Sequence, residues 1–324
     1  MTRSNADSRV SVVITTYERP ELCKRAVRSV QAQTFEPREI IIVEDASETD
    51  LETWLDREVP NATYVRHEEN RGLAAARNTG FNHATGEYVA YLDDDDEWKP
   101  ERLERQLKVL EGPSPDEQTK LGVIYCGVER QSPEGETLST SLPENEGNLA
   151  ASIREVGAST YPSTFLFTAE ALEDVGGFDE SLPSSIDHDI WMQLAVAGYE
   201  ARRVMDALVV TYVSDRAQMT TNTERRIAGV QQYIEKWGPT YKEWFGEAKG
   251  KAYADRYYAR VIARLAATNL VSGDVWDFWI ASKSIFETSE ETAYNISVLM
   301  KSVGRRMASI ILPQQAKQGF RELL

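Results

Sequence analysis

Four consecutive aspartates, Asp93-Asp94-Asp95-Asp96, follow the apolar run EYVAYL at 87–92. Carboxylates gathered at one loop suit a hard divalent cation, whose preferred ligands are oxygens. Such a cation would let an acidic loop hold a diphosphate. Without it, each carboxylate about 6 Å from a phosphate charge would repel it by roughly 3 kcal/mol at an effective dielectric near 20. The plain alternative is an acidic loop in an acidic protein. Position weighs against that, because open parallel sheets bind ligands beyond the carboxyl ends of their strands. Asp45 closes a second apolar run, EIIIVED at 39–45, in the same manner. A carboxylate only accepts hydrogen bonds, which suits the base or ribose of a nucleotide. Helix capping is the alternative role, although Ser47 or Thr49 can cap instead. Thr15, Thr16 and Tyr17 end the first run and are placed to line the same crevice. A third group lies about ninety residues on, where Gly176-Gly177-Phe178-Asp179-Glu180 precedes Asp187-His188-Asp189-Ile190-Trp191. Asp187 and Asp189 are two apart, so on a helix or its entry turn they point in different directions and one alone should reach a reaction centre. Asp189 then charges the start of the following helix. An Asp-His-Asp metal triad is disfavoured because adjacent ligands diverge.

These residues need a frame that brings strand ends together. Residues 10–126 alternate apolar runs with helical stretches: strands at Val10–Thr16, Glu39–Asp45, Thr63–His67, Glu87–Leu92 and Leu121–Cys126, with helices at Pro20–Gln33, Leu51–Arg57, Leu73–His83 and Pro100–Leu110. Strands alternating with helices of about ten residues predict an α/β fold, a mostly parallel sheet covered by helices on both faces. Further signals fall at Ser163–Thr168, Ile190–Ala197 and Ala201–Val213, and from about Glu224 the pattern is helical alone. A boundary near residue 220 divides a sheet domain, 1–220, from a helical extension, 221–324. In the extension, Ile296, Leu299, Met300, Val303, Met307, Ile310 and Ile311 recur at helical spacing, with Lys301 and Arg305 opposite. That stripe predicts either a membrane-surface helix or one packed on its neighbours.

Composition narrows the choice of chemistry. The chain has 324 residues, 52 Asp and Glu against 36 Lys and Arg, and a net charge of −16, with 11 of the 36 bases being Lys. An acidic, Lys-poor surface suits a salty cytoplasm and argues against non-specific nucleic-acid binding, which needs a basic stripe. Two cysteines and three histidines form no disulfide framework or metal-ligand spacing. No uncharged run approaches the length of a membrane span, and no apolar signal segment follows the first basic residue, so the expected location is cytoplasmic. There is no G-x-G-x-x-G or P-loop sequence.

In their order, SVVITTYERP, EIIIVEDAS, NRGLAAARNTGFNHATGEYVAYLDDDDEW and GGFDESL with DHDIWMQLAVAGY resemble the family 2 glycosyltransferases of the GT-A fold, over residues 9–220. The resemblance implies an inverting, metal-dependent transfer of one sugar from a nucleotide diphosphate sugar to a hydroxyl acceptor. It implies that Thr15, Tyr17 and Asp45 hold the nucleotide and that Arg71 faces the base or phosphates, with Arg77 competing for that role. It further implies Asp95 as the direct ligand of Mn2+ or Mg2+, with Asp93 or Asp94 near the ribose and donor sugar, and Asp93 as a second ligand. Asp187 takes the place of the general base. The chain departs from the family in carrying Ile186 before Asp187 and Asp215 where a histidine often follows the last core strand. The absence of Q-x-x-R-W, the signature of processive synthases, favours transfer of a single sugar. The acidic, Lys-poor composition is similar to archaeal enzymes of lipid-linked N-glycan assembly. That similarity implies a UDP-hexose or UDP-hexuronic acid donor and a dolichol-phosphate-linked saccharide acceptor at the cytoplasmic membrane face. Two other readings compete. A nucleotidyltransferase would show a Gly- and Lys-rich loop where this chain reads TTYERP, and a non-catalytic sugar- or lipid-binding scaffold would not need both the acid cluster and Asp187.

Overall fold

In the computed structural model, which describes residues 9–112, 120–159, 161–212, 222–289 and 291–311, the β-branched run Val10–Thr16 forms strand β1, buried along its whole length. It lies between β2 (Glu39–Glu44) and β4 (Tyr88–Asp93), parallel to both, with β3 (Thr63–Arg66) outside β2. The register sets Thr16 beside Glu44 and Thr15 beside Asp93, so the acid-bearing ends of β2 and β4 arrive on either side of the end of β1. Successive β1 side chains divide between the two faces. Val10, Val12 and Ile14 join the core under α1 (Pro20–Gln31) and α2 (Leu51–Glu58), with Cys23, Val27, Val30, Leu51 and Leu55. Val13 meets the opposite helix, α3 (Leu73–His83), at Gly80. A Cβ on Gly80 would stand 2.2 Å from Val13 Cγ1, so only glycine lets α3 lie this close to the sheet.

Beyond β4 the sheet is mixed. β9 (Leu166–Thr168) runs antiparallel between β4 and the long β6 (Lys120–Gln131), which pairs in parallel with β10 (Tyr199–Tyr212). β5 (Asp96–Trp98), β7 (Thr137–Ser141) and β8 (Gly147–Asn148) add antiparallel edges. β5 grows out of the acid cluster itself and is not predicted by the sequence, since three residues of which two are acidic carry no strand signal. Helices α4 (Arg102–Lys108), α5 (Leu149–Val156), α6 (Ala169–Val175) and α7 (Ile186–Val196) complete this part. Trp191 anchors α7, edge-on to the rings of Tyr125 and Phe165. The fold is α/β with a helical C-terminal region, as the alternation of elements predicts.

The chain forms two compact units, Met1–Glu180 with Ile186–Asp215, and Ser181–Ser185 with Arg216–Leu324. The second is helical: α8 (Thr223–Phe245), capped by Asn222, then α9 (Glu247–Ser272), α10 (Val275–Thr288) and α11 (Thr292–Ile311). α9 is the hub on which α8, α10 and α11 pack, burying Tyr233, Tyr258, Ile262 and Ala266. Gly250 permits close contact with α8, where a Cβ would lie 2.4 Å from Lys242 Cα. Of the stripe read on α11, Ile296, Met300 and Met307 are exposed and Leu299 and Val303 are half-buried, while the side chains of Ile310 and Ile311 lie outside the described residues. Among the described residues, no helix is long and apolar enough to cross a membrane.

Candidate active site

The short helix segment Arg77-Asn78-Thr79-Gly80 organises the site, each residue facing a different element. Arg77 is 1% exposed, and its guanidinium donates to Asp93 Oδ1 at 2.8 Å and to Asp187 Oδ1 at 2.6 Å. One buried cation therefore ties the end of β4 to the start of α7, and the two carboxylates hold it charged against its burial. Asn78 clamps the backbone of Phe178 from both sides, donating to its carbonyl at 2.8 Å and accepting from its amide at 2.9 Å. Thr79 meets His67 Nε2 at 2.9 Å, and His67 Nδ1 lies 2.8 Å from Asp45 Oδ1. The sequence predicts a helix over this stretch and ranks Arg77 second to Arg71. In the structure Arg77 is the buried one, held by two carboxylates, and Arg71 is the exposed one. Arg71 turns its side chain to the exposed Glu180, while its backbone amide and that of Gly72 donate to Asp45 at 2.8 Å each.

Asp45 is thus occupied by three donors and shapes the 67–72 loop, which leaves Oδ2, with a single donor, able to accept one further bond. Neighbouring Glu44, buried, accepts from Thr49, Tyr64 and Arg66. Tyr17 is 42% exposed at the end of β1 and Thr15 is buried beside Asp93. Left-handed backbone at Glu18 (φ 54°) and Ala46 (φ 63°) follows β1 and β2, and at Ser185 (φ 66°) stands two residues before Asp187. Side chains of this kind rarely take such φ, and strain held in place collects at functional sites.

The four aspartates divide by environment. Asp94, the alternative to Asp93 for the place near the ribose and donor sugar, is wholly buried, accepting from Thr16 Oγ1 at 2.7 Å and paired with Arg19. Its backbone turns it under the loop, where burial pushes its carboxyl up to about 7 against the pull of Arg19 and Thr16. Asp96 is held by Ser163 Oγ at 2.6 Å and its carboxyl is raised well above the usual range by burial and by Asp95. Asp93 and Asp95 keep solvent access, with side chains 25% and 30% exposed. Asp95 is raised by burial and by the charge of Asp93, and Arg19 Nη1 lies 3.2 Å from it. Arg19, absent from the expected site, could have been suspected from its place three residues past a strand that ends in a polar crevice. Asp187 is 27% exposed, whereas Asp189 is fully buried and accepts from Gln193 Nε2 at 2.7 Å, so the two do point apart. Asp215 lies outside the described residues.

Asp93 and Asp95 form an oxygen-only donor set whose mutual repulsion a cation would relieve, and this fits Mg2+ or Mn2+. The described residues hold no group of three or more His, Cys, Asp or Glu able to cage a metal. A cation here would draw much of its shell from a bound ligand and water, as Mg2+ commonly does.

Residues 11–175 match the family model described as glycosyl transferase family 2. An uncharacterised glycosyltransferase of Bacillus subtilis is 32% identical over 252 residues, 76% of this chain and 88% of its own. The chain spans about a third of the length of some other curated relatives it matches, such as one of Rickettsia felis (29% identical over 57% of this chain and 31% of the relative). Among solved structures, S. aureus TarS in complex with UDP-GlcNAc aligns with a TM-score of 0.56 at 17% identity, over 97% of this chain and 92% of that one. A mannosyltransferase of Pyrobaculum calidifontis in complex with GDP-Man and Mn2+ aligns with 0.54 at 21% identity, over 91% and 87%. Likeness at these identities shows the fold.

Proposed function

The chain belongs to glycosyltransferase family 2, and from that premise we propose that it transfers one sugar, with inversion, from a nucleotide diphosphate sugar to an acceptor hydroxyl. The observation that carries the proposal is the Arg77 bridge, which brings Asp187 and the acid cluster to one guanidinium. Asp187, oriented by that bridge, takes the proton from the acceptor hydroxyl as the oxygen attacks the anomeric carbon. Asp95, with Asp93, would hold Mn2+ or Mg2+. When bound, the cation supplies positive charge that offsets the developing charge on the nucleoside diphosphate. Tyr17, Thr15 and the remaining acceptor capacity of Asp45 serve the nucleotide. Arg77 keeps Asp93 in register with Asp187 and so couples the donor side of the site to the acceptor side. The single displacement forms the new glycosidic C–O bond and breaks the bond to the leaving diphosphate, which inverts the anomeric centre.

For the finer identity of the substrates we infer a UDP-hexose or UDP-hexuronic acid donor and a lipid-linked saccharide acceptor, on resemblance to archaeal N-glycan assembly enzymes. The solved neighbours were complexed with a UDP-sugar in one case and a GDP-sugar in the other, so a donor screen should span both. The test incubates the protein with UDP- and GDP-sugars and Mn2+ and identifies the released product. Nucleoside diphosphate and a product of inverted anomeric configuration are expected. Release of pyrophosphate would indicate a nucleotidyltransferase, and full turnover in excess chelator would remove the metal from the reading.

A further inference from the structure

We propose that the helical unit carries a binding groove for an amphiphilic anion, a phosphate or carboxylate borne on an apolar chain. The groove, of about 520 Å³, runs along the exposed face of α9 and the end of α8. Its floor is apolar: Ala248, Ala252 and the rings of Phe245 and Tyr253, which stack with centroids 5.0 Å apart and an interplanar angle of 23°. Its rim is cationic, formed by Lys249, Arg256 and Arg260 at i, i+7 and i+11 of one helix. That spacing keeps all three on one face and spreads them over roughly 16 Å.

The charge of this rim is cancelled in part. Arg256 pairs with Glu291 at 2.8 Å and lies over the ring of Tyr294, which fixes it in place. Among the described residues, neither Lys249 nor Arg260 has a carboxylate partner. Both therefore remain able to meet an anion, although the chain as a whole carries −16. Among the described residues, opposite charge reaches this rim at Arg256 through Glu291 and leaves Lys249 and Arg260 unpaired.

The lining also selects the type of anion. A neutral saccharide presents hydroxyls that need acceptors as well as donors, and apart from the Tyr253 hydroxyl this lining offers none. Inorganic phosphate would use the rim and leave the floor wet. An amphiphile uses both, its head at the guanidinium and ammonium groups and its first carbons on the alanines and rings, with the Lys and Arg stems lying alongside. The volume falls within the range of small-molecule sites, roughly 300–1,000 Å³.

Isothermal titration of the full chain tests this, using decyl phosphate below its micellar concentration, with inorganic phosphate and decyl glucoside as the head-only and chain-only controls. Decyl phosphate should bind at least about 10-fold more tightly than either control, a difference equivalent to one charge-assisted hydrogen bond or a few buried methylenes. Lys249→Glu with Arg260→Glu should weaken it by about 10-fold or more, and Ala252→Trp, which fills the floor without touching the charge, should do the same. Both variants should leave nucleotide-sugar hydrolysis unchanged, so failure here is distinguishable from failure of the transferase reading. Equal affinity for decyl phosphate and inorganic phosphate, or wild-type affinity in the charge-reversed variant, would overturn the proposal. Vesicles containing phosphatidylglycerol separate two sources of the same chemistry. Binding that decyl phosphate displaces assigns the groove to a lipid within a bilayer, and no vesicle binding assigns it to a free amphiphile.

Discussion

The two units treat their cations in opposite ways. Residues 1–221 hold 21 Lys and Arg against 41 Asp and Glu, yet their important cations are held by carboxylates, the buried Arg77 between Asp93 and Asp187 and the half-exposed Arg19 between Asp94 and Asp95. Residues 222–324 hold 15 bases against 11 acids, and several of those bases stand on the surface of α9 and α11 with solvent around them. A buried guanidinium with two carboxylates is a structural pin, because its removal strands charges in a poor solvent. An exposed cation without a partner contributes little to stability and remains able to meet a ligand. The first unit therefore uses charge to hold geometry, whereas the second offers charge outward.

The comparison is broken most sharply at Asp187. Asp187→Asn should lower turnover by about 10² to 10⁴-fold, as loss of a general base does, with donor affinity retained. Asp189→Asn should change stability and leave turnover within a few-fold, since that carboxylate is sealed against Gln193. Equal kinetic losses in the two variants would show that Asp187 is not the special one. Arg77→Met should destabilise the sheet unit by about 2–3 kcal/mol, somewhat below the cost of a fully buried pair because Asp93 and Asp187 reach solvent. Thermal unfolding measures it, and an unshifted transition would mean the pin carries no weight. The charge reversal at Lys249 and Arg260 should leave the melting temperature nearly unchanged, which completes the contrast.

A smaller effect concerns pH. The carboxyl of Asp94 is raised from the ordinary range to about 7, so in the folded state its ionisation is disfavoured. Stability from the protonated form is present at about pH 4 and is lost as pH rises towards 7. In chelator-treated protein, Asp94→Asn should therefore gain on the wild type steadily between pH 4 and 7. A constant difference across that interval would contradict the burial argument. The smallest effect is electrostatic screening: raising KCl from about 0.1 M to above 1 M should lift the melting temperature by a few degrees, as self-repulsion of the acidic chain is screened. A melting temperature that ignores salt would contradict the self-repulsion argument.

Read alone, the sequence already determined the central strands and most of the helices, because runs such as VSVVITT and EIIIVE carry their period in consecutive residues. It also determined that Asp45 and Asp93 share one edge of the sheet, since parallel strands connected by helices end together. It could separate Asp187 from Asp189, because two-residue spacing diverges on a helix whatever surrounds it. What it could not determine was which acids stay in water. Asp93 to Asp96 look alike in sequence, and only the packing of Thr16 and Arg19 seals Asp94 and only Ser163 engages Asp96, while Asp93 and Asp95 stay partly open to solvent. The direction of β9, the short β5 and the seating of Arg77 between Asp93 and Asp187 were likewise decided by the tertiary structure. Each depends on partners far along the chain, Arg77 and Asp187 being 110 residues apart. A local pattern records the shape of its own segment and holds no record of the distant charge that the fold brings against it.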